Sequence, residues 1–194
     1  MSSSLEIVNE GLVRLGVPPL SSLSDQSAQA LAADTIYKTT RESALSEHPW
    51  SFAYREVLLP KLALSEEQKR NTSFEFAYQL PNDMLRVLGL RSLDTFRLAG
   101  DQLYTNDSEA RLVYVANVSE AQWPAYFRKM VAFSFAAAAA ITLTENNTRA
   151  ELMYTLAAEQ RRTARGIDSM QTPPYVFNLM RVYLRRTSNP LTQA

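Results

Sequence analysis

The strongest constraint on the fold of this chain is an apolar run, MVAFSFAAAAAITLT, at residues 130–144. It is bounded by Lys129 and Glu145, and it is shorter than the roughly 20 residues that a bilayer-spanning helix needs. Its five consecutive alanines leave room for neighbouring helices to pack closely. We therefore expect a buried core helix over 124–144, with Pro124 near its first turn. Four residues share one side of this helix: Phe127, Val131, Phe135 and Ala138.

Two further helices are predicted before the middle of the chain. The first spans 4–15, begins with a capping box formed by Ser3 and Glu6, and is stopped by Gly16 and the two prolines after it. The second spans 25–48 and ends at His48, because Pro49 disfavours helical backbone in the residue before it. Small and apolar residues form a narrow stripe along the second helix: Ala28, Leu31, Ala32, Ile36 and Thr39.

A fourth helix is predicted over 147–165. Asn147 is a plausible N-cap, and Gly166 is a plausible residue to end the helix, because glycine readily adopts the left-handed backbone found there. The sequence after Gly166 is different in kind, since two prolines interrupt it and its apolar residues fit no clean stripe.

The middle of the chain has the alternation of strands. Residues 51–59, 73–80 and 84–93 are predicted strands, and the charged stretch 65–71 is a loop. Residues 96–105 predict a hairpin with Gly100 and Asp101 at its tip. The stretch 110–118 predicts a strand with apolar residues on both faces: Leu112, Tyr114 and Ala116 on one, and Val113, Val115 and Val118 on the other.

This order of elements predicts an α+β fold. It is a mostly helical bundle with a central antiparallel β section, at about 51–118, and a C-terminal extended arm. We expect one domain over 1–166 and the arm over 167–194.

The charge is balanced overall and uneven along the chain. Twenty basic and twenty acidic residues give a formal net charge of zero, which argues against a general nucleic-acid binder. Residues 161–194 nevertheless contain six arginines and one acidic residue, Asp168, so about +5 lies there and about −5 in the first 160 residues. Such a chain could pair head to tail with its own copies or present a basic end to an acidic partner.

The residue types exclude several kinds of chemistry. The chain has no cysteine and one histidine, so it has no disulfide, no thiolate nucleophile and no His-rich metal site. Its five glycines form neither a dinucleotide fingerprint nor a P-loop. We therefore predict no catalytic, cofactor-binding or metal-binding residues and no enzymatic activity. The N-terminal residues also lack the pattern of a secretory signal.

The motif HPWSF at residues 48–52 holds the only histidine and one of two tryptophans. Ser51 is too close along the chain to be a convincing nucleophile for His48. We interpret four residues of this motif as a structural anchor at the helix-to-sheet junction: His48, Pro49, Trp50 and Phe52. Carboxylates such as Glu42, Glu47 and Asp83 are typical of a solvated surface.

Two interpretations of the arm remain open. It could be a last helix packed on the domain, or a segment that docks on a partner through aromatic anchors and arginines. The candidate partner-binding residues are Tyr175, Phe177, Met180, Arg181, Tyr183, Arg185 and Arg186.

Several stretches, taken in order, resemble the head-to-tail adaptor proteins of tailed bacteriophages, the group of tail tubular protein A and the head-completion adaptors. They are VNEGLVRLGVPPLSSLSD, TTRESALSEHPWSFAYRE, FAYQLPNDMLRVLGL and GDQLYTNDSEARLVYVANVSEAQWPAYFRKMVAFSFAAAAAITLT. Together they cover most of residues 8–165. No single stretch is specific, and the resemblance rests on the ordered set.

The resemblance implies a structural virion protein at the capsid–tail junction, made in the cytoplasm of the host bacterium. Such adaptors form a homo-oligomeric ring, commonly a dodecamer, beneath the portal protein, and take part in tail assembly and DNA ejection. Double-stranded DNA passes through the ring without sequence specificity. The C-terminal arm would grip the portal, and the β section would face a downstream tail or nozzle protein. No membrane partner and no cofactor are implied.

Two other functions remain as alternatives. A virion-associated cell-wall hydrolase would need two carboxylates flanking a glycosidic bond, and the sequence offers no pair that stands out. A small DNA-binding or regulatory module would use the arginine-rich end and would bind in a strongly salt-dependent way.

Overall fold

A computed structural model describes residues 4–64 and 72–171 of the 194-residue chain. Within these ranges four α-helices occur: α1 (Ser4–Arg14), α2 (Ala28–Ser46), α3 (Ala125–Thr144) and α4 (Asn147–Gln171). A short 3-10 helix, Glu120–Gln122, precedes α3. The predicted α+β fold is confirmed.

Seven strands lie between α2 and α3. They are β1 (Tyr54–Leu58), β2 (Lys61–Leu62), β3 (Phe76–Gln79), β4 (Met84–Leu90), β5 (Phe96–Ala99), β6 (Gln102–Thr105) and β7 (Arg111–Ala116). They form two antiparallel sheets, with strand orders β1-β7-β4 and β2-β3-β6-β5. The central strand β7 pairs with β1 along one edge and with β4 along the other, and five of its six residues are buried.

Helix α3 is the centre of the helical layer, and α1, α2 and α4 all pack on it. The packing against α1 is close, because a Cβ added at Gly11 would lie 2.6 Å from Cδ1 of Phe135. Glycine is therefore required at this crossing. At the other end of α1, Gly16 has a φ of 69°, and the guanidinium Nη1 of Arg149 on α4 donates to the Leu15 carbonyl oxygen at 2.6 Å.

The apolar run forms α3, as expected. By length and composition alone this helix could also cross a membrane, and it is the one helix in the described ranges that passes that test. More than half of its apolar window, 56%, is buried against the rest of the protein, which is typical of the core helix of a folded domain. Of the four residues predicted to share its buried side, Ala138 is exposed and the other three are buried.

The predicted stripe of α2 is wrong. Leu31 is 58% exposed, and the buried residues are instead Ala30, Ala33, Tyr37, Ala44 and Leu45. Alanine and threonine lie on every side of this helix, so its apolar pattern does not select a face. The helix also begins three residues later than predicted, because the Ser27 hydroxyl accepts a hydrogen bond from the Ala30 N–H and caps it there.

Helix α4 differs from the prediction at both ends. Its N-terminal cap is Asn146, whose Oδ1 accepts from the Arg149 N–H at 2.9 Å, and not Asn147. At the other end the helix runs through Gly166 and continues to Gln171, so the prediction that Gly166 ends it is wrong. The reason is a long-range contact of Asp168, which is described below. The predicted arm begins inside this helix, and its part over 172–194 lies outside the described residues, as does the capping-box residue Ser3.

Candidate functional site at the helix-to-sheet junction

The HPWSF motif forms the turn between α2 and β1. After α2 ends at Ser46, the Trp50 N–H donates to the His48 carbonyl at 2.9 Å, and the Ala53 N–H donates to the Trp50 carbonyl at 3.0 Å. The turn then joins the sheet, because the Ala116 N–H of β7 donates to the Ala53 carbonyl at 2.8 Å. Pro49, which is exposed, forces the chain away from the helix.

Trp50 fixes this turn to the helical core. Its indole is fully buried and donates through Nε1–H to the Ala44 carbonyl at 2.8 Å. The ring meets Phe127 of α3 edge to face at 4.9 Å between centroids, and Phe52 contacts the same phenyl ring at 4.8 Å. The His48 imidazole packs edge to face on Trp50 at 4.8 Å. Aromatic pairs in this geometry add to the stabilisation from area burial. The structure thus places three of the four predicted anchor residues in one aromatic cluster.

A buried carboxylate from the end of α4 completes the site. Asp168 is 3% exposed, and it is the one charged residue of the described ranges that is fully buried. Its Oδ1 accepts from the Ser51 hydroxyl at 2.7 Å and from the Tyr126 hydroxyl at 2.6 Å. The Ser51 backbone N–H lies 3.1 Å from Oδ2. These donors compensate the cost of burying the charge. We call Asp168, Ser51, Tyr126 and His48 the carboxylate cluster.

Burial raises the pKa of the Tyr126 hydroxyl, and its hydrogen bond to Asp168 adds to the effect, so Tyr126 remains a donor. Burial also lowers the pKa of His48; Asp168 opposes this shift, whereas Arg165 and Arg86 reinforce it. The imidazole is therefore neutral at neutral pH, and its 3.8 Å contact from Nε2 to Asp168 Oδ2 is not an ion pair under those conditions.

The carboxylate cluster contains serine, histidine and aspartate, but it lacks the order of a catalytic triad. In a triad the histidine takes the serine proton and the aspartate orients the histidine. Here the Ser51 hydroxyl donates directly to Asp168. The carboxylate is occupied by three donors and is enclosed. The arrangement holds three elements together and provides no activated nucleophile at Ser51.

A second polar cluster lies at the other helix-to-sheet junction, between β7 and α3. The Arg41 guanidinium of α2 donates to Glu120 at 3.0 Å, to the Asn117 side chain at 2.6 Å and to the Val118 carbonyl at 2.9 Å. Tyr37 donates to the same Glu120 carboxylate at 3.1 Å. Burial raises the pKa of Tyr37, with Glu120 as the next cause. We call this group the guanidinium cluster.

A groove of about 280 Å³ lies between α2, α3 and α4. Its charged residues face each other, since the Glu47 carboxylate is 3.2 Å from Nε of Arg161 and 3.5 Å from Nη2 of Arg165. Glu47 Oε1 and Arg161 Nε are buried without an aligned hydrogen bond, so these are charge contacts and not fork-like pairs. These charge contacts join the end of α2 to α4, and the charged residues that line the groove face each other.

The residue types that could bind a metal ion are dispersed over residues 4–64 and 72–171. No group of three or more His, Asp or Glu residues there could hold a metal ion. Glu42 is exposed, Glu47 contacts arginines, and Asp83 accepts from the Tyr114 hydroxyl at 3.1 Å. The seven candidate partner-binding residues between Tyr175 and Arg186 lie outside the described residues.

Sequence reasoning missed Asp168, Tyr126 and Arg41. The sequence contained one indication of Asp168, because it is the only acidic residue among six arginines in 161–194.

No family model and no curated protein matches the chain, so comparisons with known proteins do not identify a family for it.

Proposed function

We propose that this protein is a head-to-tail adaptor of a tailed bacteriophage, a structural virion protein that joins the capsid to the tail. It would assemble as a ring of identical subunits below the portal and surround the DNA exit channel. The observation that carries the proposal is the ordered set of sequence stretches that resembles these adaptors over most of residues 8–165.

The positions of those stretches in the fold support the proposal. One covers the end of α2 and the HPWSF turn into β1, another covers the turn between β3 and β4, and the last runs from β6 through β7 into α3. Each therefore includes a junction at which elements meet, and together they contain Ser51, Tyr126 and Arg41 of the two polar clusters, whereas Asp168 and Tyr37 lie outside them. A resemblance at junctions bears on how the whole domain is put together.

The character of the polar clusters also favours a structural protein. The carboxylate and guanidinium clusters each link a helix to a helix-to-sheet junction, and their charged groups are satisfied by protein donors and acceptors. Apolar side chains are instead found on the surface of α4, where Leu152 is 54% and Tyr154 56% exposed.

The charge distribution supports a partner-binding end. The sequence after Gln171 contains Arg181, Arg185 and Arg186 and no acidic residue. Asp168, the only acidic residue after Arg161, directs its charge inward to Ser51 and Tyr126. The C-terminal segment therefore brings an unbalanced positive charge to an acidic partner.

The test is co-sedimentation with tail-less, DNA-filled heads of the same virus. The full chain is compared with a chain that ends at Gln171, which keeps the carboxylate cluster intact. We expect stoichiometric binding by the full chain and a loss of at least tenfold in affinity for the shortened chain. Because anchors and charges act together, the triple change R181Q/R185Q/R186Q should weaken binding by a similar factor.

A matched control is Arg162→Gln, which removes one exposed charge on α4. It should bind as the unaltered chain does. Binding by both the full and the shortened chain would keep the adaptor function and assign the contact to residues 1–171. Absence of binding by the full chain would overturn the proposal.

A further inference from the structure

Helix α4 continues past Gly166, a residue type that commonly follows the end of a helix. Gly166 lies inside the helix, where glycine is less favourable than alanine. Packing does not require a glycine here, because an added Cβ would meet no atom within 4 Å. Glycine at this position is instead the residue expected just after a helix end. The local sequence thus favours an end at Gly166, and the structure continues to Gln171.

The last turn of α4, residues 167–171, has few contacts with the domain. Met170 is 87% and Ile167 39% exposed, and Ser169 and Gln171 are exposed as well. Asp168 is its one buried residue. The Ser169 hydroxyl donates to the Arg165 carbonyl within the helix itself, so it does not join the turn to another element. Asp168 therefore carries the attachment of this turn.

A carboxylate is an unusual group to attach the last turn of a helix to the domain. The C-terminal end of a helix has a partial negative charge, so an aspartate in the last turn is electrostatically unfavourable for the helix. Aspartate is also a weak helix former. Both costs are offset by donors from distant parts of the chain, the Ser51 N–H and hydroxyl and the Tyr126 hydroxyl, which are 117 and 42 residues away. The helix end is stabilised by tertiary contacts against its local preference.

We propose that residues 167–171 are a latch with two states. In the docked state, Asp168 binds Ser51 and Tyr126, and α4 extends to Gln171. In the released state, Asp168 leaves the carboxylate cluster, and α4 ends at Gly166 in a glycine cap. Asp168 is the positioning residue of the latch, because its contacts decide whether α4 ends at Gly166 or at Gln171. This inference does not depend on the adaptor function.

A local effect and a tertiary effect oppose each other and keep such states close in free energy. Gly166 favours the short helix, and the hydrogen bonds of Asp168 favour the long one. Charge-assisted hydrogen bonds are stronger than neutral ones, which explains why the docked state prevails although the turn buries little apolar surface. Release would leave the aromatic cluster around Trp50 in place, since its ring contacts do not involve α4.

Amide hydrogen exchange of the full chain, followed by NMR at each residue, tests the latch. The D168N variant replaces one acceptor oxygen with an NH2 donor, so the amides of 167–171 should exchange about tenfold faster. S51A should accelerate the same amides through a residue 117 positions away. G166A should slow them about fourfold, since alanine disfavours the short helix. Amides of α3 should be unchanged in all three variants.

The matched control is E159Q, which changes a carboxylate on an exposed position of the same helix and should leave exchange in 167–171 unaltered. Ordinary fraying of a helix end would respond to G166A but not to S51A, and that outcome would overturn the latch. Equal exchange of 167–171 in the unaltered chain and in S51A would do the same. If D168N does not fold, S51A and G166A still decide the question.

Discussion

The two helix-to-sheet junctions of this protein share one aromatic design and differ in the charge that closes them. Each contains a tryptophan that meets Phe127 edge to face, Trp50 at 4.9 Å and Trp123 at 4.8 Å. Each indole N–H donates to a backbone carbonyl, at Ala44 for Trp50 and at Val118 for Trp123. One phenyl ring of α3 therefore orients both the entry into the sheets and the exit from them.

The charged groups at the two junctions are held differently. Arg41 comes from the interior of α2 and meets a charged partner, Glu120, as well as the Val118 carbonyl. Asp168 comes from the last turn of α4 and meets only neutral donors at neutral pH. The backbone of a residue in the middle of a helix cannot move without disturbing the helix, whereas the backbone of a residue in the last turn can. The comparison therefore predicts that the contacts of Arg41 at the exit junction are fixed and that, in the proposed latch, the contacts of Asp168 at the entry junction are releasable.

Phe127→Ala should have the largest effect, because it removes the ring shared by both junctions. Phe127 is fully buried, so we expect the free energy of unfolding to fall by about 3–5 kcal/mol. Urea denaturation followed by tryptophan fluorescence measures it, since both indoles report on the ring. Phe133→Ala, at a half-buried phenyl ring beside Arg14, is the control and should cost less than half as much. Equal losses would argue against a shared central ring.

Arg41→Ala should cause the next largest loss in the free energy of unfolding, and this loss should exceed that of Asp168→Asn. The arginine change leaves Glu120 without its charged partner in a largely buried site, at a cost of about 2–3 kcal/mol. The Asp168 change should cost about 1 kcal/mol, because opening the last turn limits the loss. Urea midpoints of the two variants test this order.

Arg41→Lys is the matched control at the exit junction. Lysine keeps the charge but lacks the fork that reaches three acceptors, so it should restore only part of the loss. A loss for Asp168→Asn as large as that for Arg41→Ala would mean that both junctions are fixed, and it would contradict the latch.

The sequence was sufficient for elements with a strong local pattern. Pro49, the glycine at position 100 and the continuous apolar run of β7 predict a helix end, a hairpin and a buried strand, because turn chemistry and short apolar runs act over a few residues. The sequence did not correctly predict the buried face of α2. There the face is selected by Tyr37 and Arg41, whose partners Asn117, Val118 and Glu120 are more than 70 residues away.

The candidate site shows the same limit. The aromatic residues of HPWSF are conspicuous in the sequence and do cluster, because a proline turn and large apolar rings have strong local and burial preferences. The end of α4 was predicted at Gly166 by a valid local rule, and a carboxylate two residues later overrides that rule through Ser51. The sequence singles out Asp168 as the only acidic residue among the arginines of 161–194, but it does not reveal the partners of Asp168, since both hydroxyl donors belong to other elements.

The smallest effect expected is a pH dependence at the entry junction. His48 has its pKa lowered by burial in the folded state, against an ordinary value of 6.5 when the chain is unfolded. The unfolded chain therefore binds the proton first, so the contribution of neutral His48 is complete above pH 6.5 and is lost as the pH falls from there to the lower folded pKa. Urea unfolding at pH 7.5 and 5.5 should show a smaller loss in the free energy of unfolding on acidification for His48→Gln than for the unaltered chain.

Asp168, 3.8 Å from the imidazole, attracts the protonated form of His48 and limits this loss, whereas Arg165 and Arg86 enlarge it. In the D168N background the loss on acidification should therefore increase. An identical loss with and without His48 would contradict the assignment of this pH dependence to the imidazole.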